Sequence, residues 1–154
     1  MKVALDANVL AHVEGVNGAE RQRSAIALLQ ALAKSTTIVP VQALGELYNV
    51  LVRKSGWPGG QARSAIMTWR DAFRLAPTNE AAIIAAADLA AAHRLGIWDS
   101  LMVSVAAERG CRLLLSEDMQ DGFSWRGVTV VNPFAIKPHP LLGALFGETG
   151  PGEP

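Results

Sequence analysis

Short apolar segments alternate along the chain with longer stretches whose apolar residues recur at helical spacing, and this alternation constrains the fold more than any other feature. Residues 2–5, 36–40, 74–76, 112–116 and 128–131 read as strands, each too short to be an amphipathic helix. Between them lie helical patterns at residues 19–34, 41–54, 61–73, 79–93 and 99–109, with helical turns expected at 8–13 and 141–146. The helix at 79–93 has Thr78 or Asn79 as its cap and Gly96 beyond its end. The run Gly56-Trp57-Pro58-Gly59-Gly60 breaks the second long helix from the third. Strands that alternate with helices predict an α/β fold: a mostly parallel central sheet of four to five short strands with helices on both faces. Right-handed crossovers then bring strand C-termini and helix N-termini to one edge of the sheet, the edge where ligands bind in such folds.

The chain has 154 residues, half of them hydrophobic and 18% charged, which suits one packed domain, expected over residues 1–146, and excludes a disordered chain. The Gly- and Pro-rich residues 147–154 are expected to form a flexible tail. No apolar run approaches the roughly 20 residues that cross a bilayer. A carboxylate follows Met1-Lys2-Val3-Ala4-Leu5 too early for a signal peptide, so the expected location is cytoplasmic. The single cysteine, Cys111, cannot form an internal disulfide and reads as a small core residue. Lys plus Arg and Asp plus Glu each number 14, so the net charge does not advertise a nucleic-acid binder. If several acids gather in one site, however, the remaining surface carries a basic excess.

The acids do fall that way. Asp6 ends the first strand, Glu46 lies early in the helix after the second, Asp99 begins the helix that feeds residues 112–116, and Asp118 follows that strand. Each has an ordinary reading alone: a strand-to-helix cap for Asp6, an N-cap for Asp99, a solvated loop acid for Asp118, and a partly buried helix acid for Glu46. All four nevertheless belong on one sheet edge. Carboxylates at that density repel one another unless protons or a cation neutralise them, and hard oxygen donors suit Mg²⁺ or Mn²⁺. His12, His93 and His139 are scattered and read as surface or helix-end residues. No His–Lys arrangement suggests phosphodiester cleavage without a metal. Trp57, Trp69, Trp98 and Trp125 read as packing residues ahead of base-stacking ones.

At these same residues the chain resembles the PIN-domain ribonucleases. Asp6-Ala7-Asn8-Val9-Leu10 is similar to the first motif of that family. Residues 42–50, through Arg53-Lys54, are similar to the second, Trp98-Asp99-Ser100-Leu101-Met102-Val103 to the third, and residues 113–122 to the fourth. Val130-Val131-Asn132-Pro133-Phe134 is similar to the closing strand and turn of bacterial members. The resemblance runs from Lys2 to about Phe134 and is nearest to the VapC-like toxins of toxin–antitoxin pairs. Ala7 and Pro40-Val41 stand where the family often has hydroxyl residues.

The resemblance implies a three-layer PIN-like fold and hydrolysis of RNA phosphodiester bonds at an acidic Mg²⁺ or Mn²⁺ site. Asp6, Asp99 and Asp118 would be ligands, Glu46 would complete the site or position a water, and Asn8 and Ser116 would orient the carboxylates. Asp121 is an additional candidate acid, and Arg53 and Lys54 would guide RNA. It further implies a small antitoxin partner and a homodimer. A housekeeping nuclease and a catalytically silent interaction module are the alternatives. Phosphotransfer enzymes also place acids at strand ends, but Asp6-Ala7-Asn8 lacks the second aspartate of haloacid-dehalogenase-like enzymes. The lysine of receiver domains is missing between Val131 and Lys137.

Overall fold

β1 (Val3–Leu5) is buried along its whole length, and the sheet is built outward from it. The structure, a computed structural model, describes residues 1–146, so the tail expected at 147–154 lies outside the described residues. β1 pairs in parallel with β2 (Thr37–Pro40) on one side and β4 (Leu113–Leu115) on the other. β3 (Arg74–Ala76) extends the sheet beyond β2, and β6 (Val128–Val131) beyond β4, both in parallel. Strands covered by helices on both faces read as largely apolar runs rather than alternating ones, and Leu113, Leu114 and Leu115 are all fully buried.

Among the described residues the sheet has six strands, against the four to five expected. β5 (Ser124–Trp125) adds an antiparallel edge, giving the order β3-β2-β1-β4-β6-β5. Two residues are too few to show a period of two. The hairpin signal was instead Arg126-Gly127, which takes φ of 45° and 85°. Two-residue hairpin loops of this kind need positive φ at both positions, and glycine supplies one of them without strain.

The helices are α1 (Ala7–Val13), α2 (Ala19–Ala31), α3 (Val41–Asn49), α4 (Gly59–Ala72), α5 (Glu80–His93), α6 (Ile97–Glu108) and α7 (Pro140–Phe146). Among the described residues no helix is long and apolar enough to cross a membrane. Asn79 caps α5 by accepting from the Ala82 N–H at 2.8 Å. The pattern at residues 41–54 predicts one continuous α-helix, but its last turn, Val50–Lys54, is a π-helix closed by the Ser55 N–H on the Val50 carbonyl at 3.2 Å. This wider turn keeps Leu51 fully buried while Lys54 remains exposed. Such turns are rare and concentrate at functional sites. Cys111 lies in the core as expected, and burial pushes its thiol up to about 11, which leaves it unreactive.

Consecutive elements leave β1 in opposite directions across the sheet: β2 lies on one side and β4 on the other. The C-terminal ends of β1 and β4 therefore flank a topological switch point, where the connections diverge and leave a crevice.

Candidate active site

That crevice is a cleft of about 490 Å³, lined by Asp6, Glu46, Asp99 and Asp118. Asp6 sits deepest. It is the N-cap of α1, with Oδ1 accepting from the Ala7 N–H at 2.7 Å, so its ordinary capping role and its place in the acid group coexist. The Ser116 hydroxyl donates to Asp6 Oδ2 at 2.7 Å. Burial nevertheless raises the Asp6 carboxyl to about 6, with Glu46 and Asp99 adding repulsion, while the Ser116 and Ala7 bonds partly offset the rise. Asp99, on the first turn of α6, is exposed at its surface. Its carboxyl still lies above the usual range, first through loss of solvent on the protein side and then through Asp118.

Asn8 ties the two motif loops together. Its Nδ2 lies 3.3 Å from Asp6 Oδ2, 3.1 Å from Ser116 Oγ and 3.3 Å from Asp118 Oδ2, so its two N–H groups serve three acceptors. Its Oδ1 accepts from the Glu117 N–H at 3.1 Å. Ser116 Oγ in turn accepts from the Asp118 N–H at 3.3 Å. On the opposite wall, Gln42 donates to Glu46 Oε1 at 2.6 Å and to the Trp98 carbonyl at 3.2 Å, bridging α3 to the start of α6 beside Asp99.

Two of the other candidate residues lie elsewhere. Asp121 is outside the residues that line the cleft, and its Oδ1 accepts from the Asn132 N–H at 2.9 Å, pinning the chain after β6. Arg53 is likewise outside the lining, whereas Lys54 lines the cleft and donates to Asn17 Oδ1 at 2.9 Å.

His12 is a partial correction. It lies in the last turn of α1, as a helix-end residue would, but it is not on the surface: it is buried in the cleft wall, with Nε2 2.6 Å from Glu117 Oε2 and Nδ1 2.9 Å from Asn17 Nδ2. Arg21 closes the group. It donates to Glu117 Oε1 at 3.0 Å, and its guanidinium lies 5.0 Å from the Phe134 ring centroid. The one signal available was spacing: His12 follows Asn8 by a single α-helical turn and shares its face. Glu117 carried no signal of its own beyond its position between Ser116 and Asp118.

Oxygen donors from four carboxylates match a hard divalent cation, and a deep carboxylate held above its usual range is the kind of group a cation relieves. Among the described residues, no group of three or more His, Cys, Asp or Glu side chains forms a ready-made cage. That is compatible with Mg²⁺, which keeps several of its waters and takes only one or two carboxylates directly. Ser116→Ala removes a bond to Asp6 and frees Asn8 to shift. Losing such an orienting partner is expected to lower metal affinity about 10- to 100-fold, read by Mn²⁺ titration of the variant against wild type.

Residues 3–123 match the family described as PIN domain. No curated protein sequence matches the chain. Among solved structures, the chain is similar to Mycobacterium tuberculosis VapC20, described as a sarcin-ricin loop cleaving toxin, with TM-score 0.65 and 18% identity over 76% of this chain and 92% of that one. A toxin–antitoxin complex from Klebsiella pneumoniae aligns with TM-score 0.65 and 19% identity over 88% of this chain and 100% of that one. VapBC2 from Rickettsia felis, bound to a DNA fragment from its promoter, aligns with TM-score 0.60 and 18% identity over 77% and 89%. At these identities the likeness establishes a shared fold.

Proposed function

Because the chain belongs to the PIN domain family, we propose that it is a divalent-cation-dependent endoribonuclease and the toxin of a toxin–antitoxin pair. The observation that carries the reading is the convergence of Asp6, Glu46, Asp99 and Asp118 on one cleft at the sheet's switch point. Asp6, Asp99 and Asp118 are the proposed ligands of Mg²⁺ or Mn²⁺. Bound there, the ion supplies an acidified water and offsets charge on the attacked phosphate.

The chain's own residues do the rest. Asn8 and Ser116 hold the Asp6 and Asp118 carboxylates in fixed relation, so little reorganisation is needed when substrate arrives. Glu46, restrained by Gln42, is poised to orient a water on the opposite wall. Arg21 and Lys54 line the same cleft and give the RNA backbone positive partners beside a group of acids that would otherwise repel it.

The toxin reading draws on the family together with the toxins and toxin–antitoxin complexes that share the fold. A small antitoxin would act by covering this cleft, and a homodimer would join two such surfaces.

The test is incubation of the purified protein with structured RNAs in Mg²⁺, Mn²⁺ or EDTA, beside Asp99→Asn. Cleavage that requires the cation and disappears in the variant is the expected result. Cleavage that survives both EDTA and the substitution would overturn the mechanism.

A further inference from the structure

Behind two of the acids lies a second, smaller cavity of about 130 Å³, lined by Leu95, Asp99, Val103, Asp118, Met119, Gln120, Phe123 and Val130. It shares Asp99 and Asp118 with the main cleft, so the two spaces meet at those carboxylates. Their chemistry differs sharply. The main cleft is walled mostly by charged and amide side chains, with Ala7, Ala11 and Val50 among them, while away from the two shared acids the smaller cavity is walled mostly by Leu95, Val103, Met119, Phe123 and Val130. Gln120 is its one uncharged polar side chain, and it is exposed.

Resting on the ribonuclease reading above, we propose that this cavity receives one unstacked nucleobase of the RNA, adjacent to the phosphate held at the acids, and that Gln120 reads that base's edge. The argument is one of continuity and chemistry. A backbone phosphate brought to Asp99 and Asp118 carries bases within a nucleotide's reach. A base has flat apolar faces for Met119 and Phe123 and a hydrogen-bonding edge for an amide that can both donate and accept. At about 130 Å³ the space is far below the usual 300–1,000 Å³ of small-molecule pockets, which suits a single ring system. A base still stacked in a duplex cannot enter. The cavity therefore predicts selectivity at one unpaired nucleotide flanking the cut.

The chain has only four methionines, so the Met119 methyl gives a simple probe. Protein labelled with ¹³C at the methionine methyls is titrated with AMP, GMP, CMP and UMP in Mg²⁺, with ribose 5-phosphate and inorganic phosphate as controls. The signal is assigned by its loss in Met119→Leu. At least one nucleotide is expected to move the Met119 methyl while both controls leave it still. Gln120→Ala is expected to weaken that nucleotide about 2- to 10-fold, the range for one neutral hydrogen bond. A Met119 signal that no nucleotide moves, or that ribose 5-phosphate moves equally, would overturn the base pocket. RNA cleavage by the same wild-type sample separates the two readings. Nucleotide-specific shifts without cleavage sink the nuclease reading and keep the pocket. Cleavage without such shifts does the reverse.

Discussion

Asp6→Asn is expected to lower RNA cleavage by more than about 100-fold and, without divalent cation, to raise the melting temperature. The activity loss should exceed the roughly 10- to 100-fold expected for orienting partners, because the substitution removes a proposed ligand itself. The stability gain follows from linkage. The folded carboxyl titrates near 6 against an ordinary 3.8, so it is raised rather than depressed. Folding is then least opposed below about pH 4. Stability falls as pH climbs from there toward 6 and stays lower above it, by an amount on the order of 3 kcal/mol. Asparagine carries no such charge. It keeps an acceptor for the Ala7 N–H but meets Asn8 Nδ2 with a donor, so the net gain is smaller, about 1–2 kcal/mol. For a chain of this size that is roughly 2–8 °C by thermal unfolding in EDTA at pH 7.5. The gain should shrink at pH 4, where wild-type Asp6 is largely protonated.

Leu114→Ala is expected to destabilise the protein by about 2–5 kcal/mol, measured as a drop in urea midpoint with unchanged slope. Leu114 is fully buried in β4, between β1 and β6, with helices over both faces of the sheet. The cavity left behind has little freedom to collapse, because both neighbouring strands are held in register by their own ladders. Against a typical total of roughly 5–15 kcal/mol, this is a large fraction. It also loosens the strand that delivers Ser116 and Asp118 to the cleft, so activity near the new midpoint should fall with the folded fraction.

How much of this was legible in the sequence depended on whether a residue's role is set locally. The continuously apolar Leu113-Leu114-Leu115 and the β-branched Val128-Thr129-Val130-Val131 announced buried strands, because burial on both faces erases alternation. Gln42 to Val50 placed Glu46 within the helix after β2, and it lies in the second turn of the short α3, since that placement needs only a start signal and a rise per residue. The two-residue β5 was not visible, because its existence rests on pairing with β6 and on the backbone of Arg126-Gly127. The π turn at Val50–Lys54 was invisible for a related reason: its side-chain pattern resembles that of an α-helix, and only the closing hydrogen bonds differ.

At the site, the four acids could be brought to one sheet edge by topology alone, because Asp6 and Asp118 follow strand ends, Asp99 lies in the first turn of α6, and Glu46 lies in the second turn of the helix that follows β2. The partnership of His12, Arg21 and Glu117 could not. Their contacts join residues about 100 positions apart and depend on how the α1 and α2 side chains meet the loop after β4. Trp69 and Trp98 divide in the same way. Trp69 is buried with its indole N–H donating to Glu14 Oε1 at 2.8 Å, whereas Trp98 is 62% exposed beside Asp99. Composition could not separate one from the other.

The most direct test of the central claim, that these carboxylates hold a divalent cation, is calorimetric titration of Mn²⁺ into folded wild-type protein and into Asp6→Asn and Asp118→Asn. The expected result is saturable binding by wild type that both substitutions abolish or weaken by at least about 10-fold. Wild type that binds no Mn²⁺, or variants that bind it as tightly as wild type, would contradict the account.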